Sequence, residues 1–347
     1  MPGASRTRSL HDSAQTKLLK PGSVYAMSAS RFEVRRRSMP QEVGRAPLAA
    51  AFAAIYFLWG GTYLAIALGL QSIPPFLLIA LRSVLGGFVL LSLSQLRPFT
   101  ARPLRDWMHA AVSGSLLFVG CHGALAYAQR FVPSGLAAII LATIPFWLVL
   151  VNLATGQRQQ LKRLIGLVPG FSGVALTAWS EASSTDHSVP MAMIGVLLAS
   201  ALAWAIGSVY AQRYAAYIAP RELAGMQLVC GGAGLLLISR VSGEWTNFVP
   251  QQVTITSVAG MLYLAIFGSA IGNTAYLWLL DRLPAPLVAT YTFVNPVVAV
   301  ILGAVVLGEH IALLGLIGAA LVIISIAALL YFASEPATKS PAKVPSD

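Results

Sequence analysis

The chain of 347 residues is unusually apolar, with 57% hydrophobic residues, 10% charged residues and a mean hydropathy of +0.74. These values exclude an ordinary soluble globular protein, in which about a quarter of the residues are charged. Lipid offers no hydrogen-bond partner to a free backbone N–H or C=O, so long apolar segments in it must be helices that satisfy their own backbones. We therefore predict an all-α polytopic membrane protein.

The net charge of +11 would fit a nucleic-acid partner, but the distribution of the charges does not. Nine of the 23 Lys and Arg residues lie in residues 1–46, and most of the others lie between apolar segments. Basic residues in such places set the topology of a membrane protein and contact anionic lipids. We predict the lipid bilayer and a small-molecule substrate as partners, and no nucleic acid.

The first 46 residues contain no apolar stretch of the length that a signal peptide needs. We expect residues 1–46 to form a disordered, basic cytoplasmic tail. Met27 and Met39 are alternative translation starts to Met1, and the sequence does not choose between them.

Ten apolar runs follow this tail, each near the length of about 20 residues that crosses a bilayer. They cover residues 47–68, 75–95, 108–128, 134–153, 162–180, 190–211, 222–239, 256–279, 285–307 and 311–332. The loops after the second and fourth runs are rich in Arg and Lys, which places both termini in the cytoplasm. Residues 333–347 are then a cytoplasmic C-terminal tail.

The first five runs and the last five carry the same residues in register. Trp59 matches Trp204 and Pro75 matches Pro220 at an offset of 145, and Pro133 matches Pro284 and Pro145 matches Pro296 at an offset of 151. A repeat with an odd number of helices enters the membrane from opposite sides in its two copies. We predict inverted repeats at 47–180 and 190–332, a substrate site between them near the midplane, and transport by alternating access.

Several motifs resemble the EamA-type branch of the drug/metabolite transporter superfamily. They are Trp59-Gly60-Gly61-Thr62-Tyr63 followed by Pro74-Pro75 and Arg82, Pro133-Ser134-Gly135-Leu136-Ala137-Ala138, and Asn295-Pro296 followed by Gly308-Glu309. The resemblance spans about residues 47–332 and implies ten helices, cytoplasmic termini, and export of amino acids, metabolites or drugs across a bacterial inner membrane. His122 departs from the pattern, because relatives often carry a small polar residue such as Asn there.

Among the Lys and Arg residues of the sequence, Arg82 alone lies well inside a predicted helix, and no Asp or Glu lies at its depth. A charge inside the membrane is costly, so it usually faces a cavity or a partner. A substrate carboxylate is one candidate partner. Backbone carbonyls, or snorkelling of the side chain to the interface, are the structural alternatives. The matching residue in the second repeat, Gln227, is neutral.

The other predicted substrate-binding residues are polar or aromatic side chains within the apolar runs. They are Trp59, Tyr63, His122, Trp204, Tyr210, Asn273, Tyr291 and Asn295. His122 matches Asn273, so this pair should lie on equivalent faces of the two halves. His122 also titrates near neutral pH, which makes it the candidate for proton coupling. Hydrogen-bonded packing and interfacial aromatic belts are the alternative explanations for these residues.

Two prolines and one acidic motif complete the predicted sites. Pro145 and Pro296 lie near the middles of helices, where proline removes a backbone hydrogen bond, so we interpret them as paired hinges; simple fold geometry is the alternative. Gly308-Glu309 lies near the end of the ninth run, where we expect Glu309 to cap or position a helix.

The sequence lacks the motifs of several enzyme classes. It contains no Gly-x-Ser-x-Gly, His-Glu-x-x-His or Walker A pattern, so we predict no enzyme, metal or cofactor. We predict a secondary active exporter of neutral, zwitterionic or anionic amphipathic compounds, because no mid-membrane acid is available to bind dications. A facilitative exchanger of an anionic metabolite and a non-transporting scaffold or receptor are the alternatives. Either a monomer or a homodimer fits two repeats in one chain.

Overall fold

The computed structural model describes residues 45–93, 102–156, 167–182, 189–215, 217–280, 291–309 and 312–334, together with residues 282 and 288. Almost all of the predicted N-terminal tail, the C-terminal tail beyond residue 334 and the alternative start methionines lie outside these residues.

The described part of the chain is helical, without strands. Its long helices are α1 (Arg45–Gly69), α2 (Pro75–Leu93), α3 (Leu104–Ala128), α4 (Ser134–Ala154), α5 (Leu167–Ala182), α6 (Met191–Tyr214), α7 (Pro220–Val241), α8 (255–280), α9 (291–307) and α10 (Leu313–Ser334). Seven of these, α1–α4 and α6–α8, contain stretches long and apolar enough to cross a membrane, and shorter apolar helices cover Val294–Leu307 and Leu313–Ser325. The prediction of an all-α polytopic membrane protein is confirmed; ten crossings and inverted repeats stay predictions.

Prolines mark the starts of several helices. Pro75 and Pro220, which match across the repeats, are the first residues of α2 and α7, and Pro133 directly precedes α4. The first helical position tolerates proline because its N–H would have no intrahelical partner in any case.

The central contact of the bundle joins α2 to α7, which run antiparallel. A Cβ added to Gly225 would lie 2.6 Å from Leu91 Cγ, and one added to Gly232 would lie 2.8 Å from Val84 Cγ2. A Cβ on Gly87 would likewise lie 2.8 Å from Val229 Cγ2. Real Cβ atoms do not approach other atoms so closely, so glycine at these positions is what lets the two helices come together.

α3 and α8 flank this pair, and the other helices pack against these four or against one another. α3 packs against α6 and α7, α8 packs against α1 and α2, α4 packs against α6 and α9, and α5 packs against α10. Large apolar side chains such as Leu237, Ile301 and Ile324 are exposed on the outside of the bundle. An apolar exterior is what a helical bundle presents to lipid.

Several helices contain irregular turns that the sequence did not predict. Ala54–Leu58 in α1, Ser115–Gly123 in α3, Leu264–Ile271 in α8 and Gly303–Leu307 in α9 are π-helical. Such segments occur often at functional sites.

The two predicted hinge prolines have different surroundings. α4 is interrupted at residues 142–143, and Pro145 lies in the first turn of its second part, Ile144–Ala154. Pro296 lies inside the helical stretch Tyr291–Leu302. Thus α4 is interrupted near Pro145, whereas α9 continues through Pro296. That either proline acts as a hinge stays a prediction.

Candidate functional site

A cavity lies between the helices of the two halves of the chain. Its walls come from α1, α2, α3 and α4 in the first half and from α6, α8 and α9 in the second. Its volume is about 90 Å³, enough for several water molecules but below the roughly 300 Å³ at which pockets for drug-sized ligands begin. A drug-sized ligand would therefore need a wider cavity than the one in this conformation.

Most of the predicted binding residues meet at this cavity. The lining includes Trp59, Tyr63, Arg82, His122, Trp204, Asn273, Tyr291 and Asn295. Tyr210 is not brought to the cavity; its hydroxyl lies 3.0 Å from His109 Nδ1. The structure adds lining residues that the sequence analysis missed, namely Thr62, Phe118, Cys121, Leu125, Leu141, Ile144 and Gly268. That any of these residues binds a substrate stays a prediction.

Trp59 is fixed on one wall of the cavity. Its Nε1–H donates to Gly268 O at 3.0 Å, which ties α1 to the π-helical segment of α8. The ring also packs edge-on against Tyr291, with 4.9 Å between ring centroids, and lies 5.1 Å from Tyr276. Aromatic pairs in such geometries add stability beyond the area they bury, so this wall is preorganised.

His122, which also lines the cavity, is held by its own contacts. Its Nδ1 lies 2.9 Å from Leu117 O, and because a carbonyl oxygen only accepts, Nδ1 is the nitrogen that carries the hydrogen. The ring stacks on Phe118 at 5.4 Å and meets the edge of Trp204 at 5.3 Å. Leu117 matches Gly268 at the offset of 151, so His122 binds the carbonyl equivalent to the one that Trp59 binds in the other half.

Arg82 lines the same cavity and is only 4% exposed. Its Nε has no hydrogen-bond partner, and within the described ranges its guanidinium forms no hydrogen bond or ion pair. No Asp or Glu is among the residues that line the cavity. The matching residue Gln227 is satisfied, since its Nε2–H donates to Ser113 Oγ at 2.8 Å.

Comparison with known proteins relates the chain to a transporter family. The model of the EamA-like transporter family matches residues 47–179 and, a second time, residues 191–331. The chain belongs to the EamA-like transporter family. The predicted resemblance is thereby confirmed.

This EamA-like transporter also has curated relatives. It is 32% identical over 292 residues to the "Uncharacterized inner membrane transporter YedA" of Escherichia coli, covering 82% of this chain and 92% of that one. It is 30% identical over 286 residues to the "Uncharacterized transporter YvbV" of Bacillus subtilis, covering 81% and 90%. It is 29% identical over 277 residues to the "Probable amino-acid metabolite efflux pump" of Salmonella typhimurium, covering 77% and 89%.

A solved crystal structure shares the fold, with a TM-score of 0.59 at 19% identity, covering 84% of this chain and 100% of the other. Together with the seven apolar helices, the family and its relatives identify a multi-pass inner-membrane transporter. This family is a family of transporters, which agrees with the prediction of a transporter rather than an enzyme.

Acidic residues of the EamA-like transporter cap helices at one end of the bundle. The Glu309 carboxylate accepts hydrogen bonds from Ser134 N at 2.7 Å, Ser134 Oγ at 2.9 Å and Gly135 N at 3.2 Å. Gly308 makes this possible by adopting a left-handed conformation, with φ of 68°, that ends α9. A carboxylate at a helix start satisfies free N–H groups and complements the helix dipole, so Glu309 has the capping geometry that we expected.

Glu244 plays the same part for α2, and the sequence analysis missed it. Its carboxylate accepts from Phe76 N and Leu77 N, both at 3.0 Å, and from Ser239 Oγ at 2.7 Å. Both acids thus join an α-helix start in the first half to a residue of the second half. Phe76 also stacks on Tyr127 at 5.9 Å.

A second set of contacts between the halves lies at the other end, where α3 and α7 begin. Tyr217 donates to Asp106 Oδ1 at 2.7 Å, and Arg102 pairs with Glu222. The hydrogen bond to Asp106 raises the pKa of Tyr217, because the neutral phenol is the donor. Both ends of the bundle therefore carry polar contacts between the first half and the second.

Proposed function

We propose that this protein is a secondary active carrier that exports small amphipathic solutes, such as metabolites, amino acids or drugs, by alternating access. In this proposal α1–α10 all cross the membrane, and residues 47–180 and 190–332 form inverted repeats. The observation that carries the proposal is the cavity, whose lining includes the matching pairs Trp59 with Trp204 and His122 with Asn273. A site built from equivalent positions can open to either side when the two halves exchange conformations.

The packing between the halves supports the inverted arrangement. Gly87 contacts Val229, and Gly232 contacts Val84; each valine matches the other, and each glycine matches the other, at the offset of 145. α3 packs against α6 and α7, while α8 packs against α1 and α2, which is the exchange expected if the first five helices are equivalent to the last five. Equivalent helices that pack antiparallel are what a two-fold axis in the membrane plane produces.

The proposal has both termini in the cytoplasm, as the basic residues in the loops indicate. The end of the bundle with Glu309 and Glu244 then faces the periplasm, and the end with Asp106 and Tyr217 faces the cytoplasm. Residues 1–46 and 333–347 are cytoplasmic tails. A monomer suffices, because one chain contains both halves.

Arg82 favours a second candidate, a facilitative exchanger of an anionic metabolite, because an unpaired cation lines the cavity. The two functions differ in their driving force. An exchanger is accelerated by substrate on the opposite side and does not respond to a proton gradient, whereas a proton-coupled carrier accumulates substrate when the gradient alone is imposed.

The test is flux of labelled amino acids and amphipathic drugs in proteoliposomes, with and without an imposed pH gradient, for wild type and His122→Asn. The variant places in the first half the residue that matches it in the second half, Asn273. Gradient-driven flux that His122→Asn abolishes supports a proton-coupled carrier. Flux that needs substrate on the opposite side favours the exchanger. If none of these compounds moves faster than through empty liposomes, export of amino acids and amphipathic drugs is wrong and the scaffold or receptor alternative gains support.

A further inference from the structure

We infer that Arg82 binds the carboxylate of the substrate, and that the cavity prefers aromatic monocarboxylates that carry no cationic group. This inference rests on the proposed transport function and names the substrate class of its site. The starting observation is a guanidinium that is 4% exposed, lines the cavity and has an Nε without a hydrogen-bond partner.

None of the acids whose side chains the structure describes supplies a counter-charge to Arg82. Asp106, Glu222, Glu244 and Glu309 all lie at helix ends, where Tyr217, Arg102 or the backbone of a helix start already binds them. An isolated charge in a low-dielectric interior is costly, and proteins normally pair it. An anionic ligand in the cavity is the group that would complete the pair.

The matching position in the other half strengthens this argument. Gln227 donates to Ser113 Oγ of α3 at 2.8 Å. Gly86 contacts Ser269 and Gly231 contacts Phe118, which places α3 and α8 in register at the offset of 151. The residue equivalent to Ser113 is therefore Leu264, which is fully buried and has no polar side-chain atom. The neutral glutamine has a hydroxyl partner, whereas the position that matches this hydroxyl in the half of α8 is an apolar leucine.

The rest of the lining indicates the body of the ligand. Five aromatic rings surround the cavity, from Trp59, Tyr63, Phe118, Trp204 and Tyr291. Flat rings of this kind bury an aromatic or branched apolar group at a small entropic cost. A guanidinium presents a planar fork of N–H donors that fits the two oxygens of a carboxylate. An ammonium group would find no acid in this lining, so an added positive charge should weaken binding.

The experiment compares three ligands with the same phenyl ring, namely phenylacetate, phenylalanine and phenethylamine, which are anionic, zwitterionic and cationic at neutral pH. Affinity is measured from the ligand-dependent rise in Tm of the purified full-length protein in detergent. We expect phenylacetate to bind most tightly and phenethylamine most weakly. In Arg82→Gln, phenylacetate should lose about 10-fold to 100-fold in affinity, and Arg82→Lys should keep part of it.

Arg240→Gln is the matched control, because it removes one arginine charge from an exposed position in the last turn of α7. It should leave all three affinities unchanged. Arg82→Gln should not lower the Tm of the ligand-free protein, since it removes a charge that has no partner. A Tm that falls sharply in Arg82→Gln but not in Arg82→Lys would show a structural role for the charge and would overturn the inference.

Binding and transport can fail separately in this design. If phenylacetate and phenethylamine stabilise wild type equally, or if Arg82→Gln weakens both equally, the substrate class is wrong even when the chain is shown to carry other solutes. If phenylacetate binds in an Arg82-dependent way but does not cross proteoliposomes that contain the protein, the inference about the site holds and the transport proposal is wrong.

Discussion

Gly87 and Gly232 lie 145 positions apart in the chain, and each contacts the valine that lies three residues before the other. The two contacts have the same length, since a Cβ on either glycine would lie 2.8 Å from a valine Cγ2. α2 and α7 therefore make equivalent glycine–valine contacts at their interface.

We expect Gly87→Ala and Gly232→Ala to destabilise the protein by similar amounts, about 1–3 kcal/mol, because the new methyl groups force the helices apart. The measurement is Tm in detergent. Gly195→Ala in α6 is the control, since no atom lies within 4 Å of its added Cβ, and it should not lower the Tm. Equal Tm values for all three variants and wild type would contradict the packing described above.

Glu309→Ala should destabilise the protein by about 1–3 kcal/mol, because it leaves Ser134 N and Gly135 N without their acceptor at the start of α4. Glu309→Gln keeps an acceptor oxygen and should cost less. Unfolding in denaturant or heat, followed by tryptophan fluorescence, measures both variants. A Glu309→Ala protein as stable as wild type would mean that the cap contributes nothing.

Trp59→Phe and Trp204→Phe make the same change at matching positions, and we expect them to differ. Trp59→Phe loses the hydrogen bond to Gly268 O, worth about 0.5–1.5 kcal/mol. Trp204 packs its ring against His122, a contact that phenylalanine can in part replace. A smaller Tm loss in Trp204→Phe than in Trp59→Phe is the expected result, and the reverse order would contradict it.

Tyr217→Phe should loosen the end of the bundle where α3 and α7 begin, because it removes the hydrogen bond to Asp106. Cys121, which lines the cavity and is 1% exposed, can report this opening as its rate of labelling by a small thiol reagent in a Cys230→Ser background. We expect the variant to be labelled about 2-fold to 10-fold faster near neutral pH. Cys121→Ser combined with Cys230→Ser gives the rate of nonspecific labelling. Equal labelling rates of Cys121 in Tyr217→Phe and in its parent would exclude a closing role for this contact.

The effect of Tyr217→Phe should depend on pH in a defined direction. Tyr217 has its pKa raised above the ordinary value of 10.0, so the contact is fully present below pH 10.0 and is lost as pH rises through the higher folded-state pKa. The ratio of labelling rates between Tyr217→Phe and its parent should therefore approach one at high pH. Taking the ratio removes the rise in thiol reactivity that both proteins share. A ratio that stays constant through this range would show that the phenol proton does not hold the contact.

The sequence predicted the helices well because hydropathy and helix-starting prolines act locally. Pro75 begins α2 at the predicted residue, and Pro220 begins α7 two residues before the predicted start at residue 222. The repeat also pairs Trp59 with Trp204 and His122 with Asn273 by position alone, and all four of these residues line the cavity. The pairing thus identified four of the eight predicted binding residues that line the cavity, whereas Arg82 lines it without its match Gln227.

The misses have physical reasons. Tyr210 lies six residues after Trp204, a rotation of about 240° around an α-helix, so the two side chains leave α6 on different faces. The π-helical turns at Ser115–Gly123 and Leu264–Ile271 were invisible because a widened turn is as apolar as a regular one. Glu244 caps α2 from a position 168 residues away from Phe76 along the chain, and no local pattern contains that information.

If the chain is the carrier that we propose, the unpaired charge of Arg82 also couples it to the membrane potential. An empty cavity carries one positive charge, whereas a cavity with a bound monocarboxylate is neutral. A full charge that crosses the membrane gains or loses about 2.3 kcal/mol per 100 mV. Arg82 would gain or lose a fraction of this energy, because the share of the membrane potential that lies between Arg82 and the cytoplasm changes when the cavity opens to one side or the other. In a cell that is negative inside, the field would then draw the empty carrier back towards the cytoplasm while leaving the loaded one unaffected, so voltage by itself would favour outward movement of the anion.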